Sequence, residues 1–115
     1  TGGANVSPME VEEAAARLPG VKTSACLGLD HPTLGQAVVL CVVANPGASP
    51  VAEELRGHLK EKLSAYKVPR VVLVFTGEEV FYTGNEKLQT EPLRQAAIKR
   101  LAAEGTEIDG HSYSL

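Results

Sequence analysis

An uninterrupted apolar run, Ala37 to Ala44, constrains the fold of this 115-residue chain more than any other feature. The run shows no alternation of apolar and polar residues, so a strand formed from it is apolar on both sides. Such a strand has to be covered on both faces, and it therefore belongs in the centre of a sheet. The run is also far too short to span a bilayer as a helix. It predicts a central strand in a small globular domain.

Two further strands and three helices are expected around this run. Residues 21–29 place apolar or small side chains at alternate positions, and residues 71–75 form another short apolar strand. Helix starts are indicated at Ser7-Pro8, at Ser49-Pro50 and at Pro92. The second helix is expected to bury one stripe of side chains, which consists of Val51, Leu55, Leu59 and Leu63.

The resulting order, α-β-β-α-β-α after a short extended N-terminal segment, predicts the α+β class. The expected fold is a small sandwich with a three-stranded central sheet and about three helices. Residues 1–105 are expected to form this domain, and residues 106–115 a polar C-terminal tail of uncertain order. Because the chain opens at Thr1 without a methionine, we expect it to be a piece of a longer polypeptide.

Composition argues against several classes of function. The formal net charge of −3 gives no general attraction to nucleic acid or to an anionic membrane. No transmembrane segment or signal peptide is visible, and we expect a cytoplasmic protein. Cys26 and Cys41 lie within apolar segments, which is typical of reduced core residues, and their spacing fits no zinc site. No metal ligand is assigned, and His31 and His58 are interpreted as a turn residue and a residue at the core edge.

The candidate functional stretch is residues 83–89, which read T-G-N-E-K-L-Q. Gly84 and Asn85 suit a tight turn because both residue types tolerate positive φ. Lys87 follows them with a flexible stem, a compact charge and three hydrogen-bond donors. A loop lysine taken alone is most often a solvated surface charge, so these residues by themselves leave the function open.

Three stretches, in order, resemble the C-terminal domain of adenylate-forming enzymes, in the branch of acyl-CoA synthetases that contains the fatty-acid–CoA ligases. Residues 2–12, G-G-A-N-V-S-P-M-E-V-E, are similar to the motif G-G-x-N-V/I-x-P-x-E-V/I-E. Residues 19–36 carry P-G-V and then G-L-D-H-P-T-L-G-Q, which resembles H-P-G-V…G-x-P-D-x-x-x-G-E/Q. Residues 63–94 contain L-S-A-Y-K-V-P-R, E-V-F-Y-T-G-N-E-K-L-Q and L-R, similar to L-A-x-Y-K-x-P and E-V-P-x-T-x-x-G-K-I/V…L-R.

The resemblance implies a mobile lid domain that begins just after the family's hinge and lacks the large N-terminal adenylation domain. In the implied reaction a carboxylic acid, a fatty acid in the branch resembled, attacks the α-phosphate of ATP to give acyl-AMP. The thiol of coenzyme A then displaces AMP after the lid has rotated. The isolated lid should not catalyse adenylation, because ATP, coenzyme A and Mg²⁺ would be bound mainly by the missing domain.

The resemblance also implies roles for individual residues. Lys87 matches the catalytic lysine, whose charge holds the carboxylate and the α-phosphate together during adenylation. Gly2 and Gly3 match glycines that line the thiol tunnel, and Gly84 belongs to the lysine motif. Lys67 and Arg70 lie in a basic loop that suits the phosphates of coenzyme A, although a solvated turn is the alternative for that loop.

The chain departs from the family pattern beside the lysine. Glu86 stands where the family has glycine, and Phe81 stands where it usually has proline. A left-handed backbone at Glu86 would cost ~1 kcal/mol or more, and its carboxylate would partly neutralise Lys87. A second hypothesis is therefore a catalytically degenerate relative that serves as an interaction or regulatory module. A third, an unrelated α+β binding module, is disfavoured by three matches in order.

The resemblance names the expected partners as well. They are the chain's own N-terminal adenylation domain and small molecules, namely the acid, ATP and coenzyme A. A homo-oligomer is left open, and no nucleic-acid partner is expected.

Overall fold

The computed structural model of the chain describes residues 7–85 and 87–114. The helices are α1 (Pro8–Ala16), α2 (Ala52–Lys62) and α3 (Thr90–Glu104), and the strands are β1 (Val21–His31), β2 (Gly35–Ala44), β3 (Val71–Phe75), β4 (Glu107–Ile108) and β5 (His111–Ser112). Short 3₁₀ turns occupy Ala65–Lys67 and Gly77–Glu79. The expected α+β class, with three helices and a three-stranded sheet, is confirmed.

The apolar run forms β2, the middle strand of a sheet in the order β1-β2-β3. β1 pairs antiparallel to β2, and β3 pairs parallel to it. One face of β2 carries Val39, Cys41 and Val43, which belong to the core beneath α3. Leu40 and Val42 point the other way, into the core beneath α1 and α2. Both faces of β2 are therefore covered, as its unbroken apolar sequence predicts.

A bulge interrupts the alternation expected along β1. Val21 pairs with Ala44 and Thr23 pairs with Val43, so Lys22 is an extra residue in the strand. The extra residue moves Val21 to the core beneath α1 and α2, whereas Leu27 lies on the α3 side. We expected the alternate residues from Val21 to Leu29 to share one face of the strand. The bulge makes this wrong for Val21.

Several element boundaries differ from those expected. α2 begins at Ala52 with Val51 as its N-cap residue, and Val51 is 52% exposed rather than part of the buried stripe. Ser49 lies too early to cap, because the residue before a proline favours extended backbone. α3 begins two residues ahead of Pro92, which is tolerated in a first turn since its missing N–H has no partner there. His58 is exposed and does not lie at the core edge.

The last residues form a hairpin, β4–β5, that packs against the domain. Asp109 and Gly110 both have positive φ, 44° and 80°, as in the two-residue hairpin turn favoured by an Asp-Gly pair. Ile108 is 2% exposed and belongs to the core beneath α3. The description of residues 106–115 as a tail of uncertain order therefore needs correction for the residues that the structure describes, up to Ser114.

His31 joins this hairpin to the sheet. Its Nδ1 accepts hydrogen bonds from the N–H groups of Thr33 and Leu34, and its Nε2 donates to the carbonyl of Ile108 at 2.8 Å. The side chain is buried at the end of β1, so His31 is not a simple turn residue. No helix in the described part of the chain is long and apolar enough to cross a membrane.

Candidate functional site

Lys87 lies on a short hairpin that follows β3 and precedes α3. We call residues 81–89 without Glu86 the lysine hairpin. Tyr82 forms an antiparallel bridge with Leu88, and the N–H of Gln89 donates to the carbonyl of Phe81 at 2.8 Å. Tyr82 and Leu88 are half-buried and pack against the core beneath α3. The stem of the hairpin is thus fixed to the domain while Lys87 is exposed.

The tip of the hairpin is held by Thr83. Its N–H donates to the carbonyl of Lys87 at 2.7 Å, and its Oγ1 accepts from the N–H groups of Asn85 and Lys87, each at 3.3 Å. Positive φ occurs at five described glycines and at Asp109, and neither Gly84 nor Asn85 is among them. Gly84 and Asn85 thus lie in the expected turn without using the positive φ that both residue types tolerate, and hydrogen bonds to the Thr83 side chain shape this turn.

The surroundings of Lys87 are open. Gly84 is exposed, and a Cβ built on it would meet nothing within 4 Å. Lys87 forms no ion pair with any residue in the ranges 7–85 and 87–114. Glu86 lies outside the described residues, and so do Gly2 and Gly3 of the expected thiol tunnel. Phe81, in the position where the resembled family has proline, is 64% exposed beside the hairpin.

Thr76, Glu79 and Arg100 form a cluster of polar contacts, which we call the brace, on the segment that leads into the hairpin. Thr76 and Glu79 form a capping box around the 3₁₀ turn, and the hydrogen bond from the Thr76 N–H lowers the pKa of Glu79. Arg100 of α3 pairs with Glu79 at 3.1 Å, donates to the carbonyl of Val74 and covers the Phe75 ring at 4.4 Å. Sequence reasoning missed this brace, although the spacing T-x-x-E at 76–79 signals it.

Lys67 is engaged within the domain. Its Nζ lies 2.9 Å from both carboxylate oxygens of Glu10 in α1, and this hydrogen bond raises the pKa of Lys67. The next glutamate of the same motif, Glu12, accepts from the backbone N–H of Cys26 at 2.8 Å, on the free edge of β1. Both glutamates therefore have structural contacts that tie α1 to the rest of the fold.

Arg70 is also paired, with Asp109 of the β4–β5 turn at 3.2 Å. Arg70 precedes β3, whereas the lysine hairpin follows it, so they lie beyond opposite ends of a strand that is roughly 17 Å long. At the far end, the Lys22 Nζ lies 5.6 Å from the centre of the Tyr82 ring. The structure thus places Lys87 and Gly84 together and does not bring Lys67 and Arg70 to them.

No group of three or more His, Cys, Asp or Glu side chains is placed to hold a metal ion in the part of the chain that the structure describes. Cys26 and Cys41 are free thiols, and Cys41 is fully buried. Cys41 thus lies in the core as expected, whereas Cys26 is partly buried and packs against the core beneath α1 and α2.

Comparison with known proteins identifies the fold's relatives. The family model for the AMP-binding enzyme C-terminal domain matches residues 10–87. The 4-chlorobenzoate–CoA ligase of Pseudomonas sp. (strain CBS-3) is 42% identical over 71 residues, covering 61% of this chain and 13% of that protein. The mitochondrial medium-chain acyl-CoA ligase of Danio rerio is 30% identical over 100 residues, covering 87% of this chain and 16% of that protein.

A solved structure gives the same result in three dimensions. The crystal structure of ATP-bound MatB from Rhodopseudomonas palustris superimposes with a TM-score of 0.72 at 30% identity, covering 84% of this chain and 19% of that one. The chain spans less than a fifth of the length of these three relatives. The family match covers most of the chain and includes Lys87, and so the chain belongs to the C-terminal domain family of the AMP-binding, adenylate-forming enzymes.

Proposed function

We propose that this chain is the mobile C-terminal domain of an acyl-CoA ligase and that Lys87 serves the formation of acyl-AMP from ATP and a carboxylic acid. The observation that carries the proposal is the lysine hairpin. Lys87 is exposed, and its backbone is fixed in two ways. Tyr82 and Leu88 at the base of the hairpin pack on the core beneath α3, and Thr83 forms hydrogen bonds with Lys87 itself. A lysine held in this way can enter a site on another domain without disturbing its own fold.

The chemistry of adenylation explains why a fixed lysine is needed. The attacking carboxylate and the α-phosphate are both anions, and a positive charge between them offsets their repulsion. The same charge stabilises the phosphate oxygens as charge develops on them in the transition state. Loss of one such contact typically costs about 3–4 kcal/mol, or roughly 10²–10³ in rate.

The second half-reaction is assigned to a different surface of the domain. Gly2 and Gly3 would line the thiol tunnel, and Lys67 and Arg70 would approach the phosphates of coenzyme A after the domain has rotated. Arg70 and Lys67 lie at the other end of β3 from the lysine hairpin, which supports two surfaces used in turn. Each cation would have to exchange Glu10 or Asp109 for a phosphate, and Arg70, whose side chain is 38% exposed against 23% for Lys67, is better placed to do so.

Under this proposal, selectivity for the carboxylic acid belongs to the adenylation domain and not to this chain. We propose to test medium- and long-chain fatty acids first, supported by the medium-chain ligase among the relatives. An aromatic acid belongs in the same panel, because another relative is named for 4-chlorobenzoate. ATP, coenzyme A and Mg²⁺ would be held mainly by the adenylation domain, and the two free cysteines support a reducing compartment such as the cytoplasm.

The test uses the polypeptide that carries this chain together with an adenylation domain. Acid-dependent exchange between ATP and pyrophosphate reports acyl-AMP formation, and Lys87→Ala should lower its rate roughly 10²- to 10³-fold. Lys60→Ala, which removes an exposed lysine from α2, is the matched control and should leave the rate unchanged.

Two results would count against the proposal. Unchanged exchange in Lys87→Ala would show that the lysine has no role in adenylation. Exchange that is absent even with Lys87 in place, and that returns in Glu86→Gly, would instead indicate a degenerate relative in which Glu86 neutralises the lysine.

A further inference from the structure

Thr83 makes hydrogen bonds to both polar backbone groups of Lys87. The Thr83 N–H donates to the Lys87 carbonyl at 2.7 Å, and the Lys87 N–H donates to the Thr83 Oγ1 at 3.3 Å. We infer that Thr83 is a positioning residue for adenylation, which fixes the point from which the Lys87 side chain leaves the backbone. The inference rests on the proposed function and adds a second residue to it.

Few other side-chain contacts among the described residues restrain the tip of the hairpin. Thr83, Gly84 and Asn85 are all exposed, and nothing lies within 4 Å of a Cβ built on Gly84. The same Oγ1 also accepts from the N–H of Asn85, so it bonds to the chain on both sides of residue 86. Among the hydrogen bonds of the described residues, those from side chains to the tip between residues 83 and 87 all involve this oxygen.

The stem cannot replace this contact. Tyr82 and Leu88 bind the base of the hairpin to the core, and the Gln89 side-chain amide donates to the Tyr82 carbonyl at 3.1 Å. These contacts set where the hairpin leaves the domain, but they act one residue or more away from Lys87. A lysine stem is flexible, so the backbone must be fixed near Lys87 itself if the ammonium group is to arrive in a defined position.

Two substitutions separate the hydroxyl from the rest of the side chain. Thr83→Val keeps the volume and the branched Cβ, which restrains χ1, but removes the acceptor. Thr83→Ser keeps the acceptor and loses only a methyl group. Both keep the backbone N–H that donates to the Lys87 carbonyl. Any difference between them therefore reports the hydrogen bonds that Oγ1 accepts from Asn85 and Lys87.

The experiment follows both half-reactions in the polypeptide that carries this chain and an adenylation domain. In Thr83→Val we expect the maximal rate of ATP–pyrophosphate exchange to fall by about 3- to 10-fold, because the variant loses two long hydrogen bonds, each at 3.3 Å, that share one oxygen. The KM for ATP and the rate of thioester formation from preformed acyl-AMP should not change. Thr83→Ser should retain the wild-type rate, and so should Thr33→Val, a threonine of the distant β1–β2 turn.

A second measurement examines the hairpin without catalysis. Amide hydrogen exchange at Asn85 and Lys87 should be faster in Thr83→Val and normal in Thr83→Ser. Equal adenylation rates in Thr83→Val and wild type, with a collapse in Lys87→Ala, would overturn the positioning role while leaving the proposed function intact. A raised KM for ATP in Thr83→Val would overturn it as well, because the hydroxyl would then contact substrate. A normal rate of ATP–pyrophosphate exchange in Lys87→Ala would overturn both the positioning role of Thr83 and the proposed function of Lys87.

Discussion

At the residue scale, Lys67 and Glu10 show how a motif residue is used within the fold. The resemblance assigns Lys67 to coenzyme A, yet its ammonium group lies 2.9 Å from both carboxylate oxygens of Glu10. The pair links the 3₁₀ turn ahead of β3 to the first turn of α1. A residue pattern shared with a family therefore identifies the positions but does not distinguish a structural contact from a contact with substrate.

The ion pair makes a prediction about stability. Lys67→Ala and Glu10→Ala should each lower the urea midpoint of unfolding. The double variant should have a midpoint no lower than that of the less stable single variant. The physical reason is that either single change removes the same interaction. Equilibrium unfolding measures it, with Lys60→Ala as a control for loss of a surface charge. Effects of the two single changes that simply add would show that the residues act independently.

The two cysteines predict a dependence of stability on alkaline pH. Burial raises the pKa of both Cys26 and Cys41 to about 12, from 9.0, because the thiolate is poorly solvated inside the domain. Below pH 9 the thiols are protonated in the folded and the unfolded chain alike, and their contribution to stability is complete. As the pH rises from about 9 to 12, the unfolded chain loses these protons first, so stability falls.

The measurement is the urea midpoint across this pH range, in the wild type and in the Cys26→Ala/Cys41→Ala variant. The wild type should lose stability more steeply than the variant between pH 9 and 12. Equal slopes would show that the thiols ionise as readily in the folded domain as in the unfolded chain.

At the element scale, the sequence predicted the helices and strands that are defined by strong local patterns. β2 was placed at the centre of the sheet because eight apolar residues in a row leave no face for solvent. The bulge at Lys22 could not be predicted, since the pairing register depends on a partner strand that is distant in sequence. The motif identifies the loop that carries Lys87, whereas its hairpin form and its hydrogen bonds to Thr83 depend on the backbone path.

The β4–β5 hairpin was missed for a different reason. Its strands contain two residues each and carry no periodic signal, although Asp109-Gly110 is a known hairpin pair. Tertiary contacts supply its order, because Ile108 fills the core beneath α3 and the Tyr113 hydroxyl donates to the Asp30 carbonyl at 3.0 Å. A polar composition alone therefore gives a poor estimate of order at this end of the chain.

The hairpin predicts a measurable loss of stability. Ile108→Ala should lower the free energy of unfolding by about 2–4 kcal/mol, because it leaves a cavity where the side chain is 2% exposed. Glu107→Ala, at the exposed neighbouring position, is the control and should change it by less than about 0.5 kcal/mol. A loss for Ile108→Ala no larger than that of the control would mean that the hairpin does not pack on the domain in solution.

At the scale of the whole molecule, the two sets of candidate residues lie at opposite ends of one sheet. The lysine hairpin lies near the start of β1, where Lys22 approaches the Tyr82 ring. Arg70 lies near the end of β1, where it pairs with Asp109 of the β4–β5 turn and where His31 bonds to Ile108 of β4. The two sets therefore lie on different surfaces of the domain. If both act as proposed, this separation supports a domain that turns between the half-reactions.

The measurement that tests this account most directly compares the two half-reactions in Lys87→Ala. In the polypeptide that carries this chain and an adenylation domain, acid-dependent ATP–pyrophosphate exchange is followed beside thioester formation from preformed acyl-AMP. We predict that exchange collapses, roughly 10²- to 10³-fold, while thioester formation continues at the wild-type rate. Equal losses in both half-reactions, or no loss in exchange, would contradict the assignment of Lys87 to adenylation alone.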